Sequence, residues 1–258
     1  MNNYELNTIA LYTMVRKEVT RFMRIWPQTL LPAVITQTLY FVIFGSFIGS
    51  QVSDINGVSY MAFIVPGLVM MTVINNAFMN VVSSFFASKF LKNFEELIVS
   101  PTSNLVIILG YTIGGALRGL IAALLVFGVS IFFVHPVIHN FWIILLFIVL
   151  TAIMFSLGGL INGIFAKNWD DISVFPTFIL IPLTYLGGVF YSVKSLPPVW
   201  QTISKFNPIL YMVDGFRYGF YGFSDVSVSF SFWILVGGTA MLFWISYYLL
   251  KKGTGLKV

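Results

Sequence analysis

The sequence predicts an all-α, polytopic membrane protein with six transmembrane helices, and three observations carry that expectation. Of the 258 residues, 58% are hydrophobic, 9% are charged, and mean hydropathy is +0.92. Soluble domains carry roughly 25% charged residues, so this chain has too few to cover a surface that water must solvate. Its apolar residues gather into six windows of the length, about 20 residues, that a helix needs to cross a bilayer. The short alternating segments of a membrane β-barrel do not occur. One transmembrane unit over 1–258 follows, with an interfacial helix in 1–25, the bundle in 26–250 and a tail in 251–258.

In residues 1–25, Leu11, Val15, Val19, Phe22 and Ile25 form a helical stripe, while Lys17, Arg21 and Arg24 recur on another face. That pattern fits an amphipathic helix on an anionic inner leaflet; a plain basic tail is the alternative. Glu5, Glu18 and four basic residues, without an apolar core and small-residue cleavage site, argue against a cleaved signal. Trp26-Pro27 then turns the chain into the bilayer.

The six windows are 27–48, 60–88, 105–134, 140–166, 172–193 and 226–250, the third interrupted by Arg118. With the N-terminus inside, ten basic residues fall on the inner side and only Lys194, Lys205 and Arg217 on the outer. Both termini are therefore expected in the cytoplasm. Of the outer turns, 135–139 carries His135 and His139, but Pro136 between them and the lack of nearby carboxylates argue against a metal site. The fifth window holds Pro176 and Pro182 and Gly187-Gly188, which predicts a kinked or broken helix.

The outer segment 191–225 is apolar and aromatic where a solvated loop would be polar. Two short helices dipping into the membrane, joined at Asn207-Pro208, fit it, because irregular backbone at that depth must be buried or line a cavity. Asp214 and Arg217, three apart, would face each other on the second.

Polar residues inside the spans are few and patterned. Thr72, Asn76, Asn80 and Ser84 recur at four-residue steps in the second window, with Asn75 and Ser83 beside them. Such a face either bonds neighbouring helices or lines a path. Gly110, Gly114, Gly115 and Gly119 form two overlaid GxxxG pairs that let helices approach closely. Arg118 either points into the bundle toward acceptors or water, or snorkels to the inner interface.

Between the second and third windows lies a polar island, with Lys89, Lys92, Glu95 and Glu96 inside eight residues. Phe94, Leu97 and Ile98 fall at i, i+3 and i+4, predicting a short amphipathic helix that Pro101 ends. Ser100, Thr102, Ser103 and Asn104 are placed to cap the next helix. Such a helix suits docking to a soluble partner; a solvated loop is the other reading.

The sequence lacks a phosphate-binding loop, HExxH, GxSxG and paired intramembrane carboxylates, so bond-making chemistry is not expected of it. It has no cysteine, hence no disulfide, and no basic, aromatic-interleaved patch for nucleic acid.

Glu95-Glu96-Leu97-Ile98-Val99-Ser100-Pro101, Gly110, Arg118-Gly119, Asn207-Pro208-Ile209-Leu210-Tyr211 and Asp214-Gly215-Phe216-Arg217 occur in that order after an amphipathic N-terminus. In this the chain resembles the permease subunits of the ABC type-2 family of bacterial ATP-binding-cassette exporters, over about 10–250. The resemblance implies a multi-pass protein of the bacterial inner membrane, with two copies of the permease joined to two soluble ATPase subunits. No cofactor is expected in this chain; ATP and Mg would sit on the partner. It makes Phe94, Glu95, Glu96, Leu97, Ile98 and Pro101 the coupling helix, with Phe94 and Leu97 expected as inserting anchors and Glu95 and Glu96 as rim charges. It makes 191–225 the outer re-entrant gate, including Asn207, Pro208, Tyr211, Asp214 and Arg217. Asn75, Asn76, Asn80 and Arg118 are candidates for the path or an interface. The expected cargo is a lipid, drug or other amphipathic compound, with polysaccharide or glycolipid export as the alternative. A secondary transporter is the remaining rival, though inverted repeats and midplane acidic residues are missing.

Overall fold

The computed structural model describes residues 3–49 and 51–255, and these form a helical bundle without a sheet. Helix α1 (Asn3–Arg24) is followed by one turn (Trp26–Thr29) and by α2 (Leu31–Tyr40), which runs on as π-helical turns over Phe41–Ile48. Then come α3 (Tyr60–Phe90), the short α4 (Asn93–Val99), α5 (Asn104–Ser130) and α6 (Phe141–Phe165). The broken helix α7 (Asp171–Tyr185) has a π-helical middle over Pro176–Leu180. Two further helices, α8 (Pro198–Lys205) and α9 (Pro208–Tyr221), precede α10 (Val228–Lys252).

Among the described residues, five segments are long and apolar enough to span a membrane: Trp26–Gly45, α3, α5, α6 and α10. The fifth expected window falls short, because α7 stops at Tyr185 where 172–193 was anticipated. Its prolines lack the N–H that an α-helix needs, and Gly188 adopts a left-handed φ of +72°. The crossing is completed by irregular backbone packed inside protein: Val189 is fully buried, and the Gly188 carbonyl accepts from Arg217. The chain thus passes six times between the Lys89 end of α3, where it meets Ile164 and Ala166, and the Tyr60 end, where the Tyr221 hydroxyl donates to Ala62.

Helix α3 is the axis of the fold. It is buried on nearly every side, its polar Thr72, Asn76, Asn80 and Ser84 included, and α5, α6 and α9 all pack on it. The approach to α6 is close enough to require glycine: a Cβ on Gly159 would stand 2.5 Å from the Phe78 carbonyl oxygen.

The glycine pairs of α5 serve different neighbours. Gly115 and Gly119 face α3, whereas Gly110 and Gly114 receive α1 through Met14 and Glu18. Asn7 meets the N–H of Ser103 at the same 96-residue separation, so α1 climbs parallel to the first turns of α5. The fully buried stripe of α1 is accordingly Met14, Glu18 and Phe22; of the expected residues Phe22 belongs to it, Leu11, Val15 and Val19 flank it half-buried, and Ile25 is exposed. Hydrophobicity alone assigned that face to lipid; the actual partner is a glycine groove that accepts a carboxylate because Ser84 and Arg21 satisfy it.

Candidate functional site

At the Lys89 end, α3 finishes in a tight turn with Lys92 in the left-handed region (φ +62°), and α4 lies across the end of the bundle. Phe94 points inward. It is 1% exposed and meets the Phe85 ring edge-on at 4.8 Å, among Tyr111, Ile107 and Leu250. This differs from the expectation that Phe94 inserts into a partner: the bundle itself fills the space around the ring, and Leu97 is half-buried beside it. The outward face consists of Glu95, Glu96, Ile98 and Val99, with Pro101 following, and Val99 is 86% exposed. Ser100 closes the helix by donating to the Leu97 carbonyl at 2.7 Å, and Ser103 caps α5 by accepting from Val106. A groove of about 530 Å³ runs between this face and Leu250–Lys252 of α10 (numbers 250–252), and one of about 620 Å³ lies between α4 and the Lys17/Arg21 side of α1.

Two buried charges anchor this end, Lys89 of the polar island and Glu18 of α1, and the burial of neither was anticipated from the sequence. Lys89 is 5% exposed and donates to the carbonyls of Ile164 (2.8 Å), Ala166 (2.6 Å) and Gly255 (3.1 Å). A cation at the last carbonyls of α6 meets the negative end of that helix dipole. Glu18 accepts from Ser84 at 2.6 Å and pairs with Arg21 at 3.3 Å; Arg21 in turn donates to the backbone and side-chain oxygens of Asn80. The pattern holding the signal was the four-residue step Asn80, Ser84 on α3, matched by Met14, Glu18, Phe22 on α1.

At the opposite end the expected outer helices form where the sequence placed them. Asn207 caps α9 by accepting from Ile209 and donates to Leu183 of α7, while Pro208 occupies the first turn, where its missing N–H is harmless. The Tyr211 hydroxyl donates to the Lys205 carbonyl at 2.7 Å and so ties α9 to α8. Asp214 and Arg217 are each 1% exposed, with their charged atoms 4.0 Å apart. Asp214 accepts from the N–H groups of Asp225 and Val226, both at 2.9 Å; Arg217 donates to Gly188 at 2.6 Å and lies 3.9 Å from the Phe63 ring centre. The pair therefore joins α7, α9, α3 and the start of α10.

The remaining candidates divide. Asn75, Asn76 and Arg118 line one recess between α2, α3 and α5, whereas Asn80 is fully buried and engaged by Arg21. Arg118 points into protein and donates to the Thr29 carbonyl at 3.1 Å, level with the turn that leads into the first span.

The chain belongs to the ABC-2 type transporter family, whose model matches residues 9–221. It is 55% identical over 249 residues to the inner membrane transport permease YadH of Escherichia coli K12, covering 96% of this chain and 97% of that protein. It is also similar to nodulation protein J of Rhizobium leguminosarum bv. trifolii, 25% identical over 218 residues (82% and 80% of the two chains). Nodulation protein J of Neorhizobium galegae is 22% identical over 258 residues, covering 96% and 94%.

Proposed function

We propose that the chain is the membrane-spanning permease of an ATP-binding-cassette exporter of the inner membrane, in which two copies form the path and two separate ATPase subunits drive it. The observation that carries this is α4: a seven-residue helix with exposed Glu95, Glu96, Ile98 and Val99, held from behind by Phe94. An exposed apolar pair rimmed by charge, on a rigid support, is the anatomy of a docking surface. ATP and Mg belong to the partner, and this chain converts the partner's movement into rearrangement of α3 and α5, which flank α4 in sequence. The cytoplasmic side is the Lys89 end, since Lys92, Lys167, Lys251 and Lys252 gather there with the basic face of α1. The cargo is an amphipathic compound.

Purification of tagged permease in mild detergent tests this reading. A complex with the mass of two permeases and two ATPases is expected, and ATP-independent transport by the permease alone would contradict it.

A further inference from the structure

The recess beside Arg118 has features that packing alone does not explain. It encloses about 350 Å³ between α2, α3 and α5, and its rim includes exposed Gln28, Pro32 and Thr36. Arg118 uses one nitrogen on Thr29, while its Nε is buried without a partner. No carboxylate lies within ion-pair distance of it among the described residues, and the charge acting on it is Arg21, of the same sign. Gln37 is 5% exposed, and its Oε1 is likewise buried and unpartnered. The amide nitrogens of Asn75 and Asn76 are taken up by carbonyls one turn back, Met71 and Thr72, which leaves acceptor oxygens for the recess.

A partly buried guanidinium with an unpartnered Nε and no carboxylate beside it calls for an anion, and its planar fork matches phosphate or carboxylate. The unpartnered Gln37 oxygen in the same recess calls for a donor. Along α2, Leu31, Ile35 and Leu39 form an exposed apolar stripe at four-residue steps, which suits an acyl chain continuing from the recess. We propose that this recess binds the anionic headgroup of an amphipathic molecule. Its phosphate sits on Arg118, its hydroxyl or amine donors on Gln37, Asn75 and Asn76, and its apolar chain along α2. The inference rests on the reading of the chain as a permease for amphipathic cargo and narrows that cargo to an anionic, donor-bearing headgroup.

The chain has no cysteine, so Thr36→Cys supplies a single thiol at the rim. Its labelling rate is measured on purified permease without ATPase, titrated with dioctanoyl phosphatidylglycerol. Protection is expected, with the half-protecting concentration raised about tenfold or more by Arg118→Gln and less by Arg118→Lys. Dioctanoyl phosphatidylcholine, without net charge or headgroup donors, and glycerol 3-phosphate, without chains, are expected to protect more weakly. Should Arg118→Gln not purify as wild type does, Gln37→Leu and Arg118→Lys carry the same comparison. The proposal is overturned if the Arg118 and Gln37 variants leave protection unchanged, or if phosphatidylcholine or glycerol 3-phosphate protects equally well. It is also overturned if the thiol never reacts because a second copy covers the recess. Since no ATPase is present, failure of the coupling reading leaves this result untouched.

Discussion

The Asp214–Arg217 pair offers a perturbation whose size follows from the structure. In Asp214→Asn the side chain keeps its shape, but an NH2 group replaces one of the two oxygens that accept from Asp225 and Val226. One buried N–H then faces a donor, a loss of about 1–3 kcal/mol. Arg217, fully enclosed, loses its counterion at 4.0 Å. At an effective dielectric of about 20 that attraction is roughly 4 kcal/mol, and stranding one member of a buried pair costs about 3–5 kcal/mol. The two losses overlap, so a total of about 3–5 kcal/mol is expected for local opening of the α7–α9 contact. The assay is the labelling rate of Val213→Cys, a position with no exposure that reacts only when α9 opens. Asp214→Asn should raise that rate by roughly 10² to a few thousandfold, and adding Arg217→Gln should change it little more, because the two act as one unit. A rise below about tenfold, or fully additive effects, would refute the reasoning.

Other consequences follow at the opposite end. Phe94→Ala removes a filled contact with Phe85 and should destabilise the α4 platform by about 3–5 kcal/mol, read as faster amide exchange across Asn93–Val99 while α6 is unaffected. Lys89→Met leaves the carbonyls of Ile164, Ala166 and Gly255 without their donor, so trypsin should cut at Lys251 and Lys252 several times faster. Reporter fusions after Asn56, His139 and Lys194 should read outside and those after Asn93, Asp171 and Lys257 inside; an inside reading at Lys194 would contradict the orientation.

What the sequence disclosed depended on whether the signal was local. Spans, the paired helices joined at Asn207-Pro208 and the capping residue Ser103 were legible because composition, proline and cap chemistry act within a few residues. The reach of α7 was less so, since where a proline-bearing helix stops depends on what receives its freed backbone, here Arg217 far along the chain. The direction of Phe94 was hidden for a related reason. A helical period shows that Phe94, Leu97 and Ile98 share a stripe, but not whether that stripe meets the parent bundle or a partner. Phe85 and Tyr111 settle it for the bundle, leaving Ile98 and Val99 outside. Glu18 escaped notice because a carboxylate on an amphipathic helix reads as solvated until the serine and arginine that satisfy it are brought beside it.

The proposed function makes α4 the surface that receives the ATPase, and copurification of the ATPase with tagged permease tests that most directly. Ile98→Asp/Val99→Asp puts two charges on the outward face while Phe94 and the helix behind it stay in place. The double variant should insert and elute like wild type, yet lose its ATPase, since charge at an apolar contact is strongly unfavourable. Undiminished copurification with undiminished transport would contradict the account and move the coupling surface away from α4.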